Sequence, residues 1–173
     1  MPEHAAYIGV GSNIAPETNI VAALERLKLY ATITGVSTFY RTPALMRPEQ
    51  PPYLNGVIRV RTALDVRSLK FEVLRGIETA LGRIRSDDAY AARPIDLDIL
   101  LFDALTIDED DLRIPDPDIG ERVFLAAGLR ELAPGLVLPD TGERVAGLAC
   151  LVEAEGLVRA DIFTARLRQS IMK

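Results

Sequence analysis

Hydrophobic residues change their spacing several times along the chain, and each change predicts an element. Residues 5–10 read as a first strand that ends in the turn-like Gly11-Ser12-Asn13. From residue 16 onwards Ile20, Leu24, Leu27 and Ala31 fall at helical spacing. Residues 32–41, rich in Thr, Val, Phe and Tyr, predict a second strand, and residues 53–62, with Leu54, Val57, Ile58 and Val60, a third. Asp65 is an N-cap candidate for a helix carrying Val66, Leu69, Val73, Ile77 and Leu81, with Gly82 placed to end it. Residues 95–102 form a strongly apolar strand interrupted by two aspartates, and a last helix over 122–132 stops before Pro134.

The order β-α-β-β-α-β predicts an α+β protein with a ferredoxin-like antiparallel sheet and helices on its faces. Residues 1–173 read as one domain, with 143–173 as a C-terminal extension that holds a possible helix and to which no role attaches. Two connections are longer than the topology needs. Residues 42–52 hold four prolines, and residues 83–93 hold three arginines and two aspartates. Long loops in a small domain tend to be lids or binding loops.

Composition narrows the chemistry. The net charge of −5 argues against nonspecific nucleic-acid binding. No apolar run approaches the roughly 20 residues that span a bilayer, and the acidic start is unlike a secretory leader, so a cytoplasmic protein is expected. A single cysteine, Cys150, reads as an apolar filler. The one histidine, His4, lies near the start of the chain, which removes Ser-His-Asp triads and histidine-rich metal sites. Carboxylates, arginines, amides and a metal remain.

The sharpest local signal is Arg93-Pro94-Ile95-Asp96-Leu97-Asp98-Ile99-Leu100-Leu101-Phe102. Side chains two apart on a strand share a face, so Asp96 and Asp98 form one acidic pair, with Leu100 and Phe102 expected on the same face. A strand apolar on both faces is expected to be central. Two readings of the pair stay open. It holds Mg²⁺, which favours a carboxylate or two plus phosphate and water, or it projects into water at the strand's end beside Arg93. Arg83, Arg85 and Arg93 suit phosphate oxygens, or else balance Asp87 and Asp88 in a solvated loop. Tyr53 and Asn55 share a strand face, where a flat heterocycle can stack on the ring while the amide reads its edge. Phe124 is a second such aromatic, and the alternative is that both rings are ordinary core or rim residues. Glu78 reads as a surface partner of Arg75. Gly9-Val10-Gly11 after a strand lacks the third glycine of a dinucleotide fingerprint, and there is no phosphate-loop motif.

From Tyr7 to about Gly142 these pieces together resemble the 6-hydroxymethyl-7,8-dihydropterin pyrophosphokinase family. The marks, in order, are residues 7–13, Phe39-Tyr40-Arg41-Thr42-Pro43, Gln50-Pro51-Pro52-Tyr53-Leu54-Asn55, Glu78 through Gly82-Arg83-Ile84-Arg85, residues 93–102, and Glu121-Arg122-Val123-Phe124. The resemblance implies pyrophosphate transfer from ATP to a reduced pterin alcohol, with release of AMP. It implies that Asp96 and Asp98 hold two Mg²⁺ ions. Arg83 and Arg93 would act on the phosphates, Arg85 and Arg122 would assist nucleotide binding, Glu78 would lie in the nucleotide site, and Ile99 would pack near the adenine. Tyr53 and Phe124 would sandwich the pterin, read by Asn55 and by the backbone at Thr42 and Leu45. ATP and pterin are the expected partners, with no nucleic acid, membrane or obligate protein partner.

The chain also departs from that pattern. Asp116 stands where the family usually has histidine, and Asp118 follows where a neutral or basic residue is usual. Ala91-Ala92 replaces Gly-Pro, Tyr90 replaces Trp and Pro94 replaces Thr. Two other readings stand beside the resemblance, the first of them motivated by Asp116 and Ala91-Ala92. One is a relative that binds pterin or nucleotide without turnover, and the other is an interaction module unrelated to nucleotides.

Overall fold

The computed structural model describes residues 2–173. Its strands are β1 (His4–Ser12), β2 (Thr32–Val36), β3 (Tyr40–Thr42), β4 (Tyr53–Thr62), β5 (Asp96–Phe102), the small hairpin β6 (Ile107–Glu109) and β7 (Leu112–Ile114), and β8 (Val158–Arg159). The α-helices are α1 (Pro16–Leu27), α2 (Arg75–Ala80), α3 (Val123–Leu132) and α4 (Asp161–Ile171). The predicted 66–81 helix forms, but its middle portion, Ser68–Leu74, is wound as a π-helix before it runs into α2. Asp65 caps it as expected, its Oδ1 accepting from the Ser68 amide at 2.9 Å.

Six strands make the main sheet in the order β5-β1-β4-β3-β8, with β2 also on β4, and every pairing is antiparallel. This is the ferredoxin-like arrangement predicted from the element order. The predicted 32–41 strand divides into β2 and β3, both paired with β4. Between them Ser37 clips to Val57, accepting its amide on Oγ at 2.8 Å, and Thr38 donates its amide to Glu131 at 2.7 Å. The Ser37 amide also donates to the Val57 carbonyl at 2.9 Å, so side-chain bonds there supplement a backbone one.

β5 lies at the edge of the sheet and not in its centre, because it pairs with β1 alone. It is apolar on both faces because helices cover both. Its outer edge is partly closed by the Asp116 amide, which donates to the Leu100 carbonyl at 2.9 Å. A bulge also alters the expected side-chain alternation. Tyr7 pairs with Leu101 and Ile8 with Ile99, which leaves Leu100 as the extra residue. Leu100 and Leu101 therefore both join the α3 side of the core, and Phe102 turns to the opposite side.

On that opposite face Ala6, Ile8, Val10, Leu54, Ile58 and Val60 pack against Ile20, Leu24 and Leu27 of α1, Leu69 and Ile77 of the second helix, and Phe163, Leu167 and Ile171 of α4. Each fully buried Leu or Ile contributes about 2 kcal/mol. The C-terminal extension is thus part of the main core. β8 adds a strand beside β3, and Phe163 meets Phe39 edge-on with centroids 5.5 Å apart. On the other face α3 packs Leu125, Ala126 and Leu129 against Val57 and Leu100, with Ile119, Leu138, Val145 and Leu148 in the same cluster. It begins part-way along the sheet and leaves the strand ends beyond it open.

Candidate active site

The open end of the α3 face is a cleft of about 670 Å³. One cross-strand row sets its floor. Asn55 on β4 stands opposite Gly11 on β1, and Gly11 stands opposite Asp96 on β5. The next row on the same face runs from Val57 through Gly9 to Asp98. On this face the middle strand therefore places glycines, Gly9 and Gly11, at the cleft. A Cβ on Gly9 would meet Leu125 at 3.3 Å, and one on Gly11 would stand 2.3 Å from Asn55 Oδ1. The glycines that resembled half of a dinucleotide fingerprint make a trough between an aromatic-amide bank and an acidic bank.

On the first bank Tyr53 and Asn55 line the cleft together with Thr42 and Leu45 from the 42–52 loop and Phe124 from the first turn of α3. Asn55 donates its amide to Thr42 Oγ1 at 2.7 Å, which fixes the side chain's orientation. Burial raises the Tyr53 phenol above its usual value, so the ring is neutral and suited to stacking.

On the second bank Asp96 is bound on both oxygens, by Arg83 and by Arg93, each at 2.9 Å. Behind it lies Glu78, which is buried and does not pair with Arg75 on the surface. Its Oε1 accepts from Arg83 at 2.7 Å and from the Leu97 amide at 2.9 Å, and its Oε2 accepts from Arg85 at 2.7 Å. Burial raises the Glu78 carboxyl in spite of these partners. Asp98 is open to the cleft yet set at its floor. Its carboxyl is pushed well above the usual carboxylate range, first by withdrawal from bulk water and then by the charges of Asp96, Asp116 and Glu78, with Arg83 opposing.

A smaller cavity of about 240 Å³ adjoins the acidic bank and is lined by Ile99, Lys70, Asp111, Arg113 and Asp116, with Asp98 shared between the two. Asp116 lines both cavities and so faces the site. Its Oδ1 accepts from the Asp118 amide at 2.8 Å, while Asp118 pairs with Arg122 at 3.2 Å. Of the residues to which the resemblance assigns substrate or metal roles, nine line the larger cleft, Ile99 lines the smaller, and Glu78, Arg83 and Arg85 stand behind Asp96.

The donor set suits a hard divalent cation, since surplus carboxylate charge collects around Asp98 and oxygen is the only ligand type on offer. Among the described residues no three His, Cys, Asp or Glu side chains group so as to hold an ion by themselves. Mg²⁺ would therefore need other oxygens, such as those of a bound polyphosphate.

Two partners of the loops escaped the sequence reading. The Asn13 side chain accepts from the Arg93 amide at 2.8 Å and donates to Gln50 at 3.1 Å and to the Pro51 carbonyl at 3.3 Å. Arg47 pairs with both oxygens of Asp88, at 3.2 and 3.1 Å, and Gln50 donates to the Tyr90 carbonyl at 3.0 Å. The two long connections are one linked structure over the cleft's end.

The model of the family described as 7,8-dihydro-6-hydroxymethylpterin-pyrophosphokinase (HPPK) matches residues 7–134. The chain belongs to that family. It is 34% identical over 159 residues to the 2-amino-4-hydroxy-6-hydroxymethyldihydropteridine pyrophosphokinase of Methylorubrum extorquens, which covers 90% of this chain and 98% of that protein. It is 38% identical over 130 residues to the protein of the same name from Bacillus subtilis, with 73% of this chain and 77% of that one covered. The HPPK-DHPS structure of Plasmodium falciparum with pteroate shares the fold, with a TM-score of 0.70 at 13% identity. It covers 89% of this chain, which in turn spans only 45% of that longer one. The HPPK family match includes both banks of the cleft and ends at Pro134, before β8 and α4.

Proposed function

We propose that the protein transfers pyrophosphate from ATP to 6-hydroxymethyl-7,8-dihydropterin, with release of AMP, as a step of folate synthesis. Family membership and the names of its relatives supply the reaction. The observation that carries the site assignment is that an aromatic-amide bank and an arginine-carboxylate bank face each other across a glycine trough. The pterin stacks between Tyr53 and Phe124, with its edge read by Asn55 and by the backbone at Thr42 and Leu45. The nucleotide lies along the other bank, its base toward Ile99 and its phosphates toward Arg83, Arg93 and Arg122, with Arg85 held nearby through Glu78.

Asp96 and Asp98 would hold Mg²⁺, two ions in this reading, and the metal would neutralise phosphate charge and hold the chain of phosphates in line. The pterin's hydroxyl oxygen forms the new bond to the β-phosphorus as the bond from that phosphorus to the α,β-bridging oxygen breaks. AMP leaves with that oxygen, and the hydroxyl proton passes to water. Arg83 and Arg93 enter already aimed by Asp96 and Glu78. They stabilise charge as it spreads over the transferred group, and positioning and electrostatics supply most of the catalysis in such transfers.

Residues 1–173 act as one domain, and ATP and the reduced pterin are the only partners the reading requires. No helix among the described residues is long and apolar enough to cross a membrane, and a cytoplasmic location fits the substrates. The test is AMP release from ATP and Mg²⁺ with and without the pterin. Pterin-dependent AMP supports the assignment. A second reading, a relative that binds without turnover, is favoured by the orientation of Asp116, whose carboxylate opposes phosphate. Binding of both substrates without AMP would select it.

A further inference from the structure

The cleft has one wall that the family match does not reach. Leu157 lines it beside Thr42, Leu45, Tyr53 and Phe124, yet lies 23 positions beyond Pro134, where the match ends. We propose that Leu157 is a specificity-determining residue of the pterin end, delivered there by the C-terminal segment. The inference rests on the reading of that end of the cleft as the pterin site.

Strand register carries the argument. Arg159 pairs with Tyr40 and Val158 with Arg41, so continuation of the ladder sets Leu157 opposite Thr42. Thr42 in turn pairs with Tyr53. Leu157, Thr42 and Tyr53 form one row across three strands, and neighbours in an antiparallel row share a face. That face is the cleft.

The segment is anchored on both sides of Leu157. Before it, the Leu157 amide donates to the Ala154 carbonyl at 3.2 Å. After it, the Ala160 amide donates to the Phe39 carbonyl at 2.8 Å, and Thr164 Oγ1 accepts from the Phe39 amide at 3.0 Å. Phe163, Leu167 and Ile171 then fix α4 in the core, and Arg168 ties it to Glu131 and to the Val36 carbonyl, both at 3.0 Å. A half-buried leucine held this firmly would give the ring an apolar neighbour and keep water from its edge.

Truncation would remove core residues and unfold the protein, so point variants are the means of testing. Binding of 6-hydroxymethyl-7,8-dihydropterin and of Mg²⁺-ATP would be titrated calorimetrically for the parent protein, Leu157→Ala and Leu157→Met. Val152→Ala, on the same segment but exposed and outside the cleft, is the control. Leu157→Ala is expected to weaken pterin about fivefold and leave nucleotide affinity unchanged, with Leu157→Met and Val152→Ala close to the parent. Equal pterin affinity in Leu157→Ala would overturn the proposal, as would a parallel loss of nucleotide affinity and thermal stability. A parent protein that binds no pterin would overturn the functional reading itself, and this proposal with it.

Discussion

Gly11 and Asn55 stand opposite each other on β1 and β4, so close that a Cβ on Gly11 would lie 2.3 Å from Asn55 Oδ1. The glycine therefore gives Asn55 the space to hold its amide over the cleft. Gly11→Ala should push that side chain aside without breaking the sheet, because the obstructing atom ends a movable side chain. The KM for pterin should rise about tenfold, the equivalent of one hydrogen bond of about 1.4 kcal/mol, with the KM for ATP nearly unchanged. Steady-state kinetics against each substrate would check this.

Glu78 is a buried carboxylate with two arginine partners. Its burial opposes ionisation, and the Leu97 amide, Arg83 and Arg85 offset that opposition only in part. Removing one member of a buried ion pair leaves the other uncompensated. Glu78→Ala should lower stability by about 3 kcal/mol in urea titrations and also release Arg83 from one of its two carboxylate partners.

Asp98 works against the fold. Its carboxyl titrates above the usual range, so the folded state holds that proton more tightly than the unfolded chain does. Whatever stability the protonated form contributes is fully present below the unfolded pKa of about 4 and is lost as pH rises through the higher folded value. Asp98→Asn should therefore raise Tm by about 2 °C at pH 8, a modest gain because the cleft admits solvent. The gain should shrink as pH falls toward 4, and Mg²⁺-dependent turnover should disappear. A scan of Tm against pH for both proteins would measure the crossover.

Asp116 should set the strength of ATP binding. It faces both cavities, so its charge would oppose a polyphosphate bound along the acidic bank. Asp116→His is expected to tighten Mg²⁺-ATP about fivefold at low salt, and less at high salt. Unchanged or weaker affinity would assign the carboxylate to the metal shell.

The periodic elements were legible because helical and strand spacing report burial directly. Residues 53–62 and the Asp65-capped helix illustrate this. Three features were not. The edge position of β5 depends on which strands find each other, and two-sided burial gives the same apolar run at an edge when helices cover both faces. The Leu100 bulge carries no local signal. The burial of Glu78 follows from Arg83 and Arg85 folding back over it, and spacing along a helix points only to Arg75. That the candidate site residues gather at one cleft was legible chiefly through the order of several short motifs. Leu157 lay outside those motifs, because a single leucine after a glycine has no pattern of its own.

Asn13 touches both long loops at once, through Gln50 and Pro51 on one side and Arg93 on the other. One amide thus stands at the junction of the 42–52 and 83–93 loops. Ordering of either loop by its substrate prepays part of the cost of ordering the other, and linkage requires the benefit to be mutual. The enzyme's two substrates should then bind with positive cooperativity, and Asn13→Ala should uncouple them while each site keeps its own contacts.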